Sequence, residues 1–174
     1  MNLLYKLSAV VLFFCISCNN NGTADQKKTP AVVTQGQSEF SKIKLTELDG
    51  TPIDLTQYKG KAVFINFWAT WCPPCVEELP MLDAFSREHT GKGFQVLALA
   101  IDQPSAVRRF LERQALGFPV GLAGLGGTEL ARSLGNETGS LPFSVFFAAD
   151  GRVLAKKLGQ LSREDLVGWF ANAR

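Results

Sequence analysis

Two cysteines that lie three residues apart are the feature of this chain best suited to chemistry. Pro73 and Pro74 separate Cys72 from Cys75, and the chain has no cysteine between Cys18 and this pair. A bond between Cys72 and Cys75 closes too small a loop to give much entropic stabilisation. A scaffold stapled by disulfides would carry more pairs, spread over the domain. The spacing therefore predicts thiol-disulfide exchange with other molecules.

The two cysteines are expected to play different parts in that exchange. An apolar strand precedes Cys72 and a helical pattern follows it, so its sulfur should lie at a helix N-terminus. Unpaired backbone N–H groups and the helix dipole favour a thiolate there, and the thiolate is the attacking form. We predict that Cys72 is the nucleophile and that Cys75, one helical turn inward, resolves the mixed disulfide.

Other uses of the same two sulfur atoms stay open at this point. Zinc prefers four ligands, and the domain adds only His89, which is interpreted as a surface residue. Copper(I) accepts two thiolates, so a copper-delivery or copper-binding module is an alternative function. A disulfide-forming oxidase and a static structural disulfide also use such a pair.

The elements that must position the pair follow from hydrophobic periodicity. The segment Val63–Trp68 is apolar on both faces, which is typical of a central strand covered by helices. A helix should begin at the CPPC segment. Further strands are predicted at 94–101, 142–147 and 153–158, and further helices around 106–111, at 128–134 and after Ser162. Ser162 and Asp165 have the spacing of a capping box.

Two regions around this core complete the predicted architecture. Alternation in Ile43–Leu48, the turn Asp49-Gly50 and a return strand at Ile53–Leu55 predict an N-terminal β-hairpin. The glycine-rich stretch Gly117–Gly127 is interpreted as a surface loop. Strand and helix alternate and are followed by a hairpin and a helix, which predicts an α/β fold with a mixed sheet whose first strands are parallel.

The segment from Asn66 to Cys75 has the sequence NFWATWCPPC. It resembles the thioredoxin superfamily, and more narrowly the TlpA/ResA branch of extracytoplasmic thiol-disulfide proteins. The resemblance implies a thioredoxin-like domain over residues 39–174, with a central mixed β-sheet flanked by helices, an N-terminal β-hairpin and a central insert. It implies no cofactor and no metal.

The resemblance also implies roles for residues outside the cysteine pair. Pro142 matches the family's cis-proline, which faces the cysteines, and the backbone of Leu141 before it pairs with the substrate chain. Glu78 matches a buried carboxylate that could take the proton of Cys75, although a solvated helix glutamate is the alternative. Trp71 is expected to shield the disulfide and touch partners.

Two positions depart from the patterns of the wider superfamily. Asn66 stands where cytoplasmic thioredoxins carry a buried aspartate, and an amide cannot relay a proton in the same way. This departure gives Glu78 more weight in the mechanism. Phe143 follows the proline at a position where the family often has threonine.

The prolines between the cysteines favour one direction of electron flow. Pro74 has no N–H group, so Cys75 is left as the donor to a Cys72 thiolate at the start of the turn. Fewer donors predict a pKa of Cys72 that is only moderately lowered, and hence a less stabilised reduced state. We hypothesise a reductant, with a potential nearer to thioredoxin's roughly −270 mV than to DsbA's roughly −120 mV.

The N-terminus is predicted to be a targeting segment. Lys6 is followed by the apolar run Leu7–Ser17, which is shorter than the roughly 20 residues that span a bilayer. Because Ile16-Ser17-Cys18 resembles a lipobox, we expect a lipoprotein signal peptide at residues 1–17 and lipidation of Cys18. Residues 18–38 then form the lipidated N-terminus and a flexible tether. A soluble periplasmic form and an uncleaved anchor are alternatives.

The expected partners follow from charge and from the resemblance. The formal net charge is only +2, which gives no electrostatic case for nucleic acid. The resemblance implies protein thiols and disulfides as substrates, such as cysteines of apocytochrome c or of oxidase copper sites, and a membrane electron donor of the DsbD/CcdA type. The lipid anchor would hold the domain at the outer face of a bacterial membrane.

Overall fold

The structure is a computed structural model that describes residues 45–58, 60–124 and 126–172. The predicted signal peptide, the lipidation site at Cys18, the tether and the first residues of the predicted hairpin lie outside these residues. In the described part of the chain, no helix is both long enough and apolar enough to cross a membrane.

A mixed sheet forms the centre of the fold, as predicted, and in the described residues it has five strands. The strands are β1 Ala62–Trp68, β2 Phe94–Ala100, β3 Val120–Leu122, β4 Phe143–Phe147 and β5 Val153–Leu158. Their order across the sheet is β3-β2-β1-β4-β5. Strand β2 is parallel to β1 and to β3, whereas β4 is antiparallel to β1 and to β5.

Within the described ranges, four α-helices and one 3-10 turn accompany the sheet. The helices are α1 Pro73–Glu88, α2 Pro104–Arg113, α3 Gly126–Ser133 and α4 Arg163–Ala171, and the 3-10 turn is Leu55–Tyr58. The capping box predicted for α4 is present, since Asp165 N–H donates to Ser162 Oγ and Ser162 N–H donates back to Asp165 Oδ2.

The alternation of β1 divides the buried side chains into two cores. Phe64 and Trp68 point toward α1, where Leu79 and Phe85 of that helix join them. We call this group the α1-side core. Val63, Ile65 and Phe67, which alternate with them along β1, point the opposite way, toward α3. The residues of this α3-side core include Val63, Phe67, Leu97, Leu99, Leu130, Phe143 and Val145.

In the described residues, the predicted N-terminal hairpin is shorter than expected, although the chain does turn back at Asp49-Gly50. A single antiparallel bridge joins Thr46 to Pro52, and the predicted return strand instead enters the 3-10 turn at Leu55. The backbone hydrogen bonds lie on either side of Pro52, from Glu47 N–H to Thr51 O at 2.7 Å and from Ile53 N–H to Leu45 O at 3.0 Å. Asp54 then accepts a hydrogen bond from Thr56 N–H at 2.9 Å, which starts the turn.

The glycine-rich stretch is not simply a surface loop, because it contains β3. This three-residue strand pairs with Ala98–Ala100 of β2, and Leu122 N–H donates to Thr46 O at 2.7 Å on its other side. A Cβ at Gly121 would lie 2.6 Å from Ile53 Cδ1, so a larger residue there would have to displace the Ile53 side chain. Long-range pairing creates this strand, which the local sequence pattern does not indicate.

His89 was predicted to be a surface residue, but it is half-buried. Its ring stacks on Phe85 with centroids 4.1 Å apart and meets the edge of Phe170 at 4.3 Å. Its Nδ1 lies 2.8 Å from Phe85 O at the end of α1. The residue therefore joins α1 to α4 by aromatic packing.

Candidate active site

The cysteine pair lies at the junction between the end of β1 and the start of α1. Cys72 is the N-cap of α1 in an extended conformation (φ −104°, ψ 99°), and Val76 N–H donates to its carbonyl. Cys72 and Cys75 form a disulfide with a Cα–Cα distance of 5.3 Å. Cys72 is 5% exposed and Cys75 is 0% exposed. A visiting sulfur can therefore approach Cys72 more readily than Cys75.

The start of α1 offers few hydrogen-bond donors to the Cys72 sulfur. Pro73 and Pro74 are the first two residues of the helix and have no N–H groups. No hydrogen bond caps the helix through the Cys72 side chain. The first backbone N–H within α1 is therefore that of Cys75.

The two tryptophans that flank the site have different environments. Trp71 is 66% exposed, directly before Cys72. Trp68 is fully buried in the α1-side core, where its ring lies 5.1 Å from that of Phe110. Trp71 thus presents apolar surface beside the disulfide, while Trp68 packs the end of β1.

Pro142 lies at the same end of the sheet. The Leu141-Pro142 peptide bond is cis, and β4 begins at the next residue. Phe143 pairs with Phe67 near the end of β1, which brings the proline beside the strand that leads to Cys72. Gly159 N–H donates to Pro142 O at 2.8 Å and ties this segment to the end of β5.

Glu78 is buried one helical turn beyond Cys75 and is only 1% exposed. Asn66 Nδ2 donates to its Oε1 at 2.7 Å, and Leu161 N–H donates to its Oε2 at 2.7 Å. Burial raises the pKa of Glu78, and these two donors together with Lys157 reduce that rise without cancelling it. A carboxylate with a raised pKa binds a proton more readily.

Asn66 connects this carboxyl to β4. Its Nδ2 also donates to Ser144 Oγ at 3.1 Å, and both side chains are fully buried. Its Oδ1 is buried and has no hydrogen-bond partner within the described part of the chain. Sequence reasoning identified Asn66 but missed Ser144 and Leu161, since neither position carries a motif.

Asp102 fixes the loop before Cys72 and was also missed. Its Oδ2 accepts hydrogen bonds from Thr70 N–H at 2.8 Å and from Thr70 Oγ1 at 2.6 Å. Its Oδ1 accepts from Gln103 N–H at 2.7 Å. A charged acceptor with three donors holds its neighbours firmly, so this carboxylate sets the path of the chain into Cys72.

A buried asparagine does the same for the loop before Pro142. Asn136 Nδ2 donates to Ser140 O at 2.8 Å, while its Oδ1 accepts from Gly139 N–H and from Thr138 Oγ1. The signal that could have indicated this residue is its place between Gly135 and the proline segment. Both loops that border the disulfide are thus held by one polar side chain each.

Residues 45–58, 60–124 and 126–172 contain no group of three or more His, Cys, Asp or Glu side chains arranged to hold a metal ion. The disulfide and the buried carboxyl of Glu78 offer the chemistry of thiol-disulfide exchange.

Known proteins are similar to this chain in sequence and in structure. Residues 24–168 match the Redoxin family. The chain is 36% identical over 127 residues to thiol-disulfide oxidoreductase ResA of Bacillus cereus, covering 72% of this chain and 71% of that protein. A thioredoxin-related protein from Neisseria meningitidis serogroup B aligns with a TM-score of 0.68 and 26% identity, over 75% of this chain and 98% of its own. A thiol:disulfide interchange protein of the thioredoxin family from Chlorobium tepidum TLS aligns with a TM-score of 0.63 and 29% identity. The alignment covers 75% of this chain and 94% of that protein.

Proposed function

The chain belongs to the Redoxin family and is a ResA-like thiol-disulfide oxidoreductase, and from this premise we propose that it reduces disulfides of other proteins outside the cytoplasm. The observation that carries the proposal is the Cys72–Cys75 disulfide at the start of α1, with a buried carboxyl one turn deeper. Cys72 would meet the substrate, and Cys75 would complete the exchange.

The first step is attack by the Cys72 thiolate on one sulfur of the substrate disulfide. A bond forms between Cys72 Sγ and that sulfur, the substrate S–S bond breaks, and the other substrate sulfur leaves as a thiolate. The greater exposure of Cys72 supports this assignment. After mild reduction, Cys72 should be alkylated faster than Cys75, and a folded domain with unreactive Cys72 would contradict it.

The second step releases the substrate. Cys75 gives up its proton, and its thiolate attacks Cys72 Sγ, which forms the protein disulfide and expels the second substrate thiolate. The substrate has then gained two electrons, and a membrane donor of the DsbD/CcdA type would restore the protein dithiol. Glu78 is our candidate for the proton acceptor, because its position one turn from Cys75 and its raised pKa suit that role.

The prolines of the active site support reduction as the direction. Because Pro73 and Pro74 lack N–H groups, a Cys72 thiolate would have few donors and the reduced state would gain little stabilisation. Equilibration with glutathione tests this. We expect a potential near −270 mV and not near −120 mV, a gap of roughly 150 mV that corresponds to roughly 10⁵-fold in the equilibrium constant. A potential near roughly −120 mV would instead favour the alternative function of a disulfide-forming oxidase.

Substrate docking is assigned to the rim formed by Trp71 and the Leu141-Pro142 segment. The exposed indole offers apolar contact, and the backbone of Leu141 would pair with an extended substrate chain. Trp71→Ala should slow the reduction of a protein disulfide more than that of a small disulfide such as oxidised glutathione. Equal slowing of both would point to a damaged active site.

The cellular setting completes the proposal. A signal peptide at residues 1–17, a lipid on Cys18 and a tether to residue 38 would hold the domain at the outer face of a bacterial membrane. Cytochrome c or oxidase copper-site maturation would supply the substrates. Trapping with Cys75→Ser stalls the mixed disulfide on Cys72, and mass spectrometry then identifies the partners. The matched control Cys72→Ser should trap none, and Cys18→Ser should release the protein from membranes.

A further inference from the structure

We propose that Asn66 is a positioning residue whose side-chain amide turns over when Glu78 takes up a proton, so that the buried site satisfies both protonation states of that carboxyl. The inference deepens the proposed function, since it rests on Glu78 as the acceptor of the Cys75 proton. It starts from the hydrogen bonds that join Asn66, Glu78 and Ser144 beneath the disulfide.

The observed arrangement suits an ionised Glu78. A carboxylate only accepts hydrogen bonds, and each of its oxygens meets one donor here. Asn66 Nδ2 donates to Oε1, and Leu161 N–H donates to Oε2, both at 2.7 Å. The second hydrogen of Nδ2 goes to Ser144 Oγ at 3.1 Å. This leaves Asn66 Oδ1 buried and without a partner within the described residues.

The same arrangement gives a protonated Glu78 no acceptor among the groups bonded to its carboxyl. A proton on Oε2 would point at the N–H group of Leu161, and a backbone amide cannot become an acceptor. A proton on Oε1 would point at Asn66 Nδ2, which is also a donor. Two donors that face each other in a buried site lose the hydrogen bond and leave both groups unsatisfied.

Turning over the Asn66 amide removes this conflict without moving the backbone. Oδ1 then takes the place of Nδ2, and its two lone pairs accept from Glu78 Oε1–H and from the Ser144 hydroxyl. The Ser144 hydroxyl changes from acceptor to donor, which a freely rotating O–H allows. Leu161 N–H still donates to Oε2. Rotation of the Asn66 amide alone therefore gives the new proton an acceptor.

The charged groups near this cluster do not need to move. Lys157 is the cation that acts on Glu78, and it lies opposite Ser144 across β4 and β5. Its Nζ is already bonded to Asp165 Oδ2 on α4 at 2.5 Å. On α1, Glu77 is exposed, and Cys75 carries no charge in the disulfide. The side-chain amide of Asn66 is therefore the group that can respond to protonation of Glu78.

The test follows the side-chain NH₂ of Asn66 by NMR in the oxidised protein while the pH is varied. Its two proton signals should shift with the same midpoint as the Glu78 carboxyl carbon. Glu78→Gln resembles the protonated state, since its amide oxygen accepts from Leu161 and its NH₂ must donate to Asn66 Oδ1. In this variant the Asn66 signals should match those of the acidic wild type at every pH.

A second variant separates an amide that turns over from one that stays fixed. Asn66→Leu removes the partner of both protonation states, and because the bond to the charged carboxylate is the stronger one, the proton affinity of Glu78 should rise by less than about tenfold. A fixed amide would stabilise the carboxylate alone, and its loss would raise that affinity by about tenfold or more. Should that variant fail to fold, the wild-type titration and Glu78→Gln still decide the matter.

The outcomes distinguish this inference from the proposed function. Asn66 signals that stay constant through the Glu78 midpoint overturn the inference, whatever the activity. Asn66 signals that follow Glu78, together with unchanged disulfide exchange in Glu78→Gln, support the inference and remove Glu78 from the catalytic step.

Discussion

The two sides of the sheet are built from the same strands and yet bury different kinds of residues. The α1-side includes Asn66, Glu78 and Ser144, each at most 1% exposed and joined by hydrogen bonds. The α3-side core is apolar apart from the hydroxyl of Tyr58. Because residues alternate along β1, Asn66 lies on the first side while Ile65 faces the second. One strand thus serves chemistry on one side and stability on the other.

In the described residues, the α1-side buries the carboxyl of Glu78, whereas the α3-side core buries only the hydroxyl of Tyr58, which has no hydrogen-bond partner there. A buried polar group is destabilising unless its partners are present, and a buried carboxyl more so. Apolar side chains on the α3-side gain stability by leaving water. We therefore expect equivalent deletions on the two sides to affect stability alike and redox chemistry differently.

The largest expected effect comes from a matched pair of leucines that are both 0% exposed. Leu97→Ala on the α3-side and Leu79→Ala beside Glu78 should each lower the free energy of unfolding by about 2–5 kcal/mol, measured with urea. Leu97→Ala should leave the glutathione equilibrium within about twofold of wild type, since distant sites act independently. Leu79→Ala should shift it further. Equal shifts of the glutathione equilibrium in both variants would contradict the assignment of redox chemistry to the α1-side.

The second prediction concerns the rim of the α1-side. Asp102→Ala removes the acceptor that holds Thr70, which should cost about 1.5–3 kcal/mol of stability. It also removes a negative charge near Cys72, so the pKa of the reduced thiol should fall and its alkylation at neutral pH should quicken. Thr70→Val keeps the charge and serves as the control. Faster alkylation in both variants would mean that loop loosening, not charge, is responsible.

Asp102 also shows why part of the site could not be predicted from the sequence. The spacing of Cys72 and Cys75 after an apolar strand located the disulfide at the start of α1, because those signals are local. Asp102 lies 32 residues from Thr70, and Leu161 lies 83 residues from Glu78. Contacts of this kind exist only after the sheet has brought the strand ends together.

The same distinction applies to the fold. The range predicted for β5 and the cap of α4 are confirmed, since glycine turns and the Ser162–Asp165 spacing act within a few residues. Strand β3 was missed because it depends on pairing with β2 and with Thr46. The N-terminal hairpin is shorter than predicted because the chain enters the 3-10 turn at Leu55.

The third prediction tests the cost of the buried carboxyl through pH. Burial raises the pKa of Glu78 above its ordinary 4.5, so the folded protein retains this proton to a higher pH than the unfolded chain does. The resulting stabilisation is complete below the unfolded-state pKa and is lost as the pH rises through the folded-state pKa. Glu78→Gln should therefore gain stability relative to wild type as the pH rises, by about 1.4 kcal/mol for each tenfold increase in proton affinity.

Urea unfolding of the oxidised proteins in steps from acid to neutral pH provides the measurement for Glu78→Gln. Glu77→Gln on the exposed face of α1 is the matched control and should show no such divergence. A constant difference between wild type and Glu78→Gln across the pH range would show that the carboxyl does not titrate differently on folding.

The smallest effect is expected at Gly168 in α4, on the α1-side but away from the polar cluster. Gly168 is exposed, and a Cβ there meets no atom within 4 Å. Gly168→Ala should stabilise the protein by about 0.5–1 kcal/mol, because alanine restricts the unfolded chain and favours helix. The glutathione equilibrium should not change. If this substitution altered that equilibrium as much as Leu79→Ala, the chemistry would depend on the whole α1-side and not on its buried polar groups.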